Sequence, residues 1–359
     1  MPAHLVVSIS GHGFGHVAQT APILNQLQRL MPELRLTIRS TVPEKLLRSR
    51  IDIPFNLLQS TGDIGMAMSS ALVVDVERSR AAYRHFHQDW QNRVADEGAL
   101  LCELKADLVF SNVGYLPLAG AQQAGIPNIA LCSLNWADIY RHYCGDDRIA
   151  LQILSCYRGA DAFLRTTPGM AMNDPATTGL ANLHPVAPIA TVGNNLRCEI
   201  NRHLKLSKDE KLVLVSMGGI ASRLPVENWP RLDGVRYLVQ ASWRVEHPDA
   251  IEFESIPVGF SDLLSSCDAL LCKPGYGSFV EAACSGVPVL YVDRPDWPES
   301  PALTTWLENN AVCREVTLEA IERGEFAKEL EEIWSAVKPA PVAPSGIQQV
   351  AEYLAGKLN

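Results

Sequence analysis

No stretch of the chain approaches the roughly eighteen consecutive apolar residues that a membrane-spanning helix needs, and the first residues run into Leu5-Val6-Val7-Ser8-Ile9 without a charged leader. Neither a spanning helix nor a secretory leader is expected. Dense Lys/Arg runs are also missing, and 31 Lys and Arg against 40 Asp and Glu leave a formal charge of −9, which opposes wrapping a phosphate backbone. Nucleic acid is therefore not expected as a partner. Nine cysteines (Cys102, Cys132, Cys144, Cys156, Cys198, Cys267, Cys272, Cys284, Cys313) include no Cys-x-x-Cys pair. Odd in number and scattered, they read as small buried apolar residues in a reducing compartment, which places the protein in the cytoplasm. A Gly-x-x-x-x-Gly-Lys-Ser/Thr sequence is absent, so P-loop phosphoryl transfer has no support. Nothing has metal-ligand spacing: His142, Cys144, Asp146 and Asp147 are spaced as a polar loop, and neither a metal nor a cofactor is expected.

What is present is material for two cores. Hydrophobic residues are 47% and charged residues 20% of 359, the balance of a folded chain, and the length suits two domains at roughly 100–200 residues each. The opening reads as a buried strand at 5–9, a glycine-rich turn Gly11-His12-Gly13-Phe14-Gly15-His16, and a helix with Val17, Ala21, Leu24, Leu27 and Met31 at helical spacing. Apolar runs at 34–38, 108–110 and 129–131 follow, separated by lengths that hold crossover helices, which predicts an α/β parallel sheet covered on both faces. The pattern weakens near Gly193-Asn194-Asn195 and restarts with Lys211-Leu212-Val213-Leu214-Val215-Ser216 and Gly218-Gly219. It continues through the strand runs 269–272 and 287–292, and ends, after the stiff Pro339–Pro344 stretch, in an amphipathic helix near Ile347–Leu358. The expected division is an N-terminal domain over 1–192, a linker over 193–210, a second domain over 211–340, and a C-terminal helix over 341–359.

Two turns carry chemistry. In the first, Gly13, Gly15 and Ala18 satisfy a loose dinucleotide-binding pattern, but the acidic residue that would hold a ribose is missing, since the next strand ends at Arg39-Ser40. An arginine there suits a 2′-phosphate, which keeps NADP as the least favoured alternative. Two histidines in a turn whose glycines let a ligand approach point instead to acid/base chemistry, with His16 and His12 as candidates. The second turn, Lys273-Pro274-Gly275-Tyr276-Gly277-Ser278, opens a helix whose N-terminus favours a diphosphate. Glu281, one turn further, is placed to accept hydrogen bonds from a ribose diol.

The run Cys272-Lys273-Pro274-Gly275-Tyr276-Gly277-Ser278-Phe279-Val280-Glu281-Ala282, continuing to Gly286-Val287-Pro288-Val289, resembles the donor-nucleotide motif of GT-B glycosyltransferases of the peptidoglycan N-acetylglucosamine transferase type (family 28). That motif's basic residue, glycine, Thr/Ser and glutamate fall on Lys273, Gly275, Ser278 and Glu281, its glycine-loop histidine on His16, and its interdomain glycine pair on Gly218 and Gly219. Over most of its length the chain is also similar to the glycosyltransferase-like N-terminal region of L-arabinokinases. The shared features are the Gly-His-Gly-Phe-Gly-His turn, Asn135-Trp136-Ala137-Asp138-Ile139-Tyr140, Gly275-Tyr276-Gly277, Glu299 and Pro301. The sugar-kinase half of those enzymes has no counterpart here, so the resemblance implies no kinase activity. It implies two Rossmann-like domains facing each other across a cleft, the first for the acceptor and the second for the nucleotide sugar, with the C-terminal helix returning to the first. Where many GT-B transferases have a His-Gln pair, this chain has Asp296-Trp297-Pro298-Glu299-Ser300, which leaves Asp296 and Glu299 as the acids toward the donor sugar.

The resemblance implies metal-independent transfer of a sugar from a nucleoside diphosphate sugar, UDP-linked by preference, to an acceptor that the sequence does not name. His16 is the first candidate base and His12 the second, with Asp138, Asp63 or Asp75 as the acid that orients the imidazole. Gly13, Gly15, Gly218, Gly219, Lys273, Gly275, Tyr276, Gly277, Ser278 and Glu281 form the nucleotide and diphosphate set. A non-catalytic sugar-nucleotide-binding protein and a GT-B-like UDP-sugar epimerase are the alternatives. The apolar stretch 64–74 offers a surface for a greasy acceptor or peripheral membrane contact, or simply a core element.

Overall fold

The computed structural model describes residues 2–172, 179–219 and 222–359. The chain forms two compact units: residues 1–189, 297–299 and 345–359 make the first, and 190–296 with 300–344 the second. In the first unit the strands are β1 (His4–Ile9), β2 (Arg35–Arg39), β3 (Asn56–Leu58), β4 (Leu108–Asn112), β5 (Asn128–Cys132), β6 (Ala162–Thr166) and β7 (Leu183–Val186). They lie in the order β3-β2-β1-β4-β5-β6-β7 with every neighbour parallel. Helices cover both faces, which is why β1 is buried at every residue and reads as a continuous apolar run.

The last helix, Gly346–Leu358, belongs to this unit. Val350, Ala351 and Leu354 share one core with Val17, Leu24 and Leu27 of the helix Gly15–Leu30. Gly346 makes the approach possible, because a Cβ there would lie 2.1 Å from the Ala187 carbonyl oxygen. Leu354 is fully buried, so Leu354→Ala is expected to lower the stability of the first unit by about 2–5 kcal/mol in chemical denaturation. A loss below about 1 kcal/mol would show that the helix is dispensable.

The second unit has β8 (Lys211–Ser216), β9 (Val235–Val239), β10 (Ala250–Glu252), β11 (Ala269–Cys272), β12 (Val289–Tyr291) and β13 (Cys313–Glu315). Their order is β10-β9-β8-β11-β12-β13, again all parallel. Residues 193–210, expected as a linker, are part of this unit: they contain the helix Arg197–Leu204, whose Ile200 is buried in its core. Arg197 ties that helix down by donating to Asp268 Oδ2 at 2.6 Å.

One further expectation, that the cysteines are buried, needs correction. Six of the nine cysteines are buried, but Cys144 is half-buried and Cys102 and Cys198 are exposed. The stretch 64–74 is largely interior: Met66, Ala71 and Val74 are buried, and Val73 is its exposed hydrophobic residue. Among the described residues no helix is long and apolar enough to cross a membrane.

Candidate functional site

In both sheets the strand order reverses once, between β1 and β4 in the first unit and between β8 and β11 in the second. Ligands of open parallel sheets bind beyond the carboxyl ends of the strands at such points, where neighbouring connections leave in opposite directions. Both glycine turns lie there.

The first turn leaves β1 at Ile9, which pairs with Asn112 at the end of β4. Gly13 has φ +83, a conformation that side chains disfavour, so glycine is required at that position. The helix then starts at Gly15 with no side-chain cap and no acid in its first turn. His16 points inward and is 5% exposed, with its Nδ1 2.9 Å from Asn112 Oδ1. Asn112 Nδ2 donates to Gln19 Oε1 at 3.1 Å and to the His16 carbonyl at 3.4 Å, and Gln19 Nε2 donates to Ser133 Oγ at 2.8 Å. This network turns the Asn112 oxygen toward the imidazole, so Nδ1 carries the proton and Nε2 keeps its lone pair. Burial pushes His16 down to about 4, against the upward pull of Asn112, and the ring is neutral at pH 7.

The expected orienting acids are thus replaced by an amide. Asp75 caps the helix Val76–His87 by accepting from Arg78 N at 3.0 Å. Asp138 accepts from Asn135 Nδ2 at 2.8 Å and lies 3.6 Å from Arg141. Asp63 accepts from Ser10 Oγ at 3.0 Å and from Trp136 Nε1 at 3.1 Å. Each of these carboxylates satisfies donors in its own neighbourhood, and the pairing of β1 with β4 delivers Asn112 to His16 instead.

His12 is half-buried and packed by aromatic rings. It stacks on Trp297 with centroids 5.8 Å apart and meets Trp136 edge-on at 5.1 Å. Its Nδ1 accepts the Met66 N–H at 3.3 Å. Gly65 passes close by, where a Cβ would lie 2.8 Å from that nitrogen. Trp136 is fully buried and also faces His16 at 6.1 Å. Trp297 donates through Nε1 to Glu299 Oε2 at 3.2 Å. The two acids expected toward the donor sugar therefore part: Glu299 is buried in the first unit and Asp296 is exposed in the second. Glu299 adds to burial in pushing the Cys132 thiol up to about 12, and Cys132 Sγ lies 3.7 Å from His16 Nδ1.

In the second unit Gly218 (φ +84) and Gly219 leave β8, while Lys273 leaves the adjacent β11. A Cβ on Gly218 would sit 3.8 Å from Lys273 Nζ, so the ammonium lies against that glycine turn. The helix Tyr276–Ser285 begins after Gly275 with no side-chain cap and no acid in its first turn, leaving its N-terminal amides for an anion. Tyr276 and Gly277 are buried, Ser278 is half-buried, and Glu281 is 2% exposed.

Arg39 is not available to a 2′-phosphate. It is 3% exposed and engages Glu97 with both terminal nitrogens, Nη2 donating to Oε2 at 2.8 Å, while Nε donates to Ser60 Oγ at 3.1 Å. Asp146 pairs with Arg141, and Asp147 caps the helix Arg148–Arg158. Among the described residues no group of three or more His, Cys, Asp or Glu could hold a metal ion. Sequence reasoning missed Asn112 and Trp297 as neighbours of the histidines. A polar Ser111-Asn112 pair closing the buried run Leu108-Val109-Phe110 was the readable signal for the first.

No protein-family model matches the chain. L-arabinokinase from Arabidopsis thaliana is 25% identical over 356 residues, covering 96% of this chain, and the chain spans 33% of that relative's length. Among solved structures, the glycotransferase of kitacinnamycin superposes with a TM-score of 0.58 at 16% identity, covering 99% of this chain and 95% of the other. MurG of Acinetobacter baumannii gives 0.54 at 16% identity, covering 99% and 100%. At such identities the likeness is one of fold, and the fold of this chain is GT-B, with Rossmann-like units built on parallel sheets of seven and six strands.

Proposed function

We propose that the protein is a glycosyltransferase that moves a sugar from a nucleoside diphosphate sugar, UDP-linked in our reading, to an acceptor hydroxyl without a metal ion. The observation that carries the reading is the neutral His16 imidazole, with its Nδ1 proton held by Asn112 and its Nε2 lone pair retained at the strand-order reversal. In this mechanism Nε2 takes the acceptor proton as the hydroxyl oxygen attacks the anomeric carbon and the bond to the diphosphate breaks. His12, held by Trp297 and the Met66 amide, lines the same turn. On the second unit, the helix N-terminus at Gly275-Tyr276-Gly277-Ser278, with Lys273, Gly218 and Gly219, offsets the charge that grows on the departing diphosphate. Glu281 receives the ribose hydroxyls and Asp296, exposed on the second unit, serves the sugar hydroxyls, while Glu299 holds the Trp297 indole. A cytoplasmic setting belongs to the same proposal, supported by nine free thiols.

Calorimetric titration with UDP, GDP, dTDP and NADPH tests the reading. Selective binding of one nucleoside diphosphate is expected, with Glu281→Ala weakening it by about 1–3 kcal/mol. Because Glu281 is buried, Glu281→Gln and a melting curve separate lost ribose bonds from lost packing. Failure of every nucleotide to bind would overturn the proposal. Binding without transfer across acceptor panels would instead identify a sugar-nucleotide-binding protein, and donor conversion without acceptor an epimerase.

A further inference from the structure

Asp63 is a carboxylate with 4% exposure whose two side-chain donors are both neutral, Ser10 Oγ on Oδ1 at 3.0 Å and Trp136 Nε1 on Oδ2 at 3.1 Å. Burying a charge with neutral partners alone costs stability, so its placement calls for a reason other than packing. Both donors lead to the histidine turn. Ser10 Oγ also accepts the His12 backbone N–H at 3.3 Å. The Trp136 ring lies against both imidazoles, at 5.1 Å from His12 and 6.1 Å from His16. One carboxylate thus joins the start of the turn to the aromatic surface under its two histidines.

We propose that Asp63 is a positioning residue for the histidine turn: ionised, it clamps Ser10 and Trp136 and fixes both imidazoles, and its protonation loosens the clamp. The inference rests on His16 acting as the base. Trp136 Nε1 only donates, so an added proton goes to Oδ1, where Ser10 must give up its donation and become the acceptor. The charge-assisted bonds to Ser10 and Trp136 then become weaker neutral ones. Burial pushes Asp63 up to about 6, against the downward pull of Ser10 and Trp136, which places the change within the physiological range. The titratable groups that feel it directly are the hydroxyls of Tyr83, Tyr115 and Tyr157, and Ser10 and Trp136 link it to His12 and His16. Burial above all, with a smaller push from the Asp63 charge, raises those hydroxyls well above 10, while burial holds His16 near 4. Glu299, bonded to the Trp297 indole that stacks on His12, is the other buried carboxylate of the site.

The test combines two readouts on the full chain. In a ¹⁵N-indole NMR titration, the Trp136 Nε1–H resonance, assigned with Trp136→Phe, is expected to move through one transition near pH 6 and to stay still in Asp63→Asn. Ser10→Ala removes a donor to the charged form and should move that transition to higher pH, which keeps the idea testable if Asp63→Asn does not fold. In the transfer assay, kcat of the native protein should fall as pH drops through about 6, whereas Asp63→Asn should be slow and level from pH 5 to 8 with nucleotide affinity unchanged. An acid limb near pH 6 that survives in Asp63→Asn overturns the proposal, as does a Trp136 resonance that does not titrate. A titrating resonance in a protein with no transfer activity would instead count against the glycosyltransferase reading alone.

Discussion

His16→Ala is expected to lower turnover about 10²–10⁴-fold while leaving nucleotide affinity unchanged, because the imidazole is assigned to a proton transfer and not to holding the nucleotide. Unchanged turnover in the folded variant would remove His16 as the base. The sharper variant is Asn112→Asp, which puts a carboxylate on Nδ1 where the native protein has an amide. A negative neighbour favours imidazolium, so His16 would stay protonated to higher pH, and the acid limb it imposes should move up from about 4. Stability carries the same signature. His16 has a folded pKa near 4, below its unfolded value of 6.5, so its contribution is full above 6.5 and falls away as pH drops toward 4. Asp63 runs the opposite way: its folded value near 6 exceeds 3.8, so stability declines as pH rises through that window. Each effect is on the order of 3 kcal/mol at about 1.4 kcal/mol per pH unit, and the two oppose each other. Asp63→Asn should therefore steepen the rise in stability between pH 4 and 6.5, read as a urea midpoint that climbs more with pH in the variant than in the native protein.

Breaking the Arg39–Glu97 pair is expected to have the largest effect on stability. Both side chains are about 5% exposed or less, and Gly120 passes so close that a Cβ would sit 2.4 Å from Glu97 Cγ. Neither charge can swing into water when its partner is removed. Arg39→Met or Glu97→Ala should each cost about 3–5 kcal/mol in urea unfolding. The double variant Arg39→Met/Glu97→Leu should recover most of that loss, since it leaves no charge stranded. A single variant costing less than about 1 kcal/mol would mean that solvent reaches the pair.

The central strands were readable because parallel strands covered on both faces become apolar runs, as at β1, β4, β8 and β11. The outer strands carried less signal. β10 is exposed or half-buried throughout, β7 contains Pro185, and in β13 only Cys313 is buried. The glycine turn with its histidines could be read from one local segment. Its orienting partner could not, because Asn112 lies 96 residues from His16 and is brought to it by β1 pairing with β4. Trp297 was hidden for a related reason: its three-residue segment leaves the second unit's chain to join the first, and no local pattern announces such a visit.

The return of the helix Gly346–Leu358 to the first unit has a consequence for synthesis. Chains fold as they emerge, N-terminal domains first, yet here the first unit is discontinuous, and its core lacks Val350, Ala351 and Leu354 until the last turns of the described chain are made. Its histidine turn likewise lacks the Trp297 ring until residue 297 has emerged. The second unit, continuous apart from that brief departure, can close its core while the first still waits. Ribosome-bound chains halted before residue 345 should therefore protect the second unit from protease while leaving the first open to cleavage.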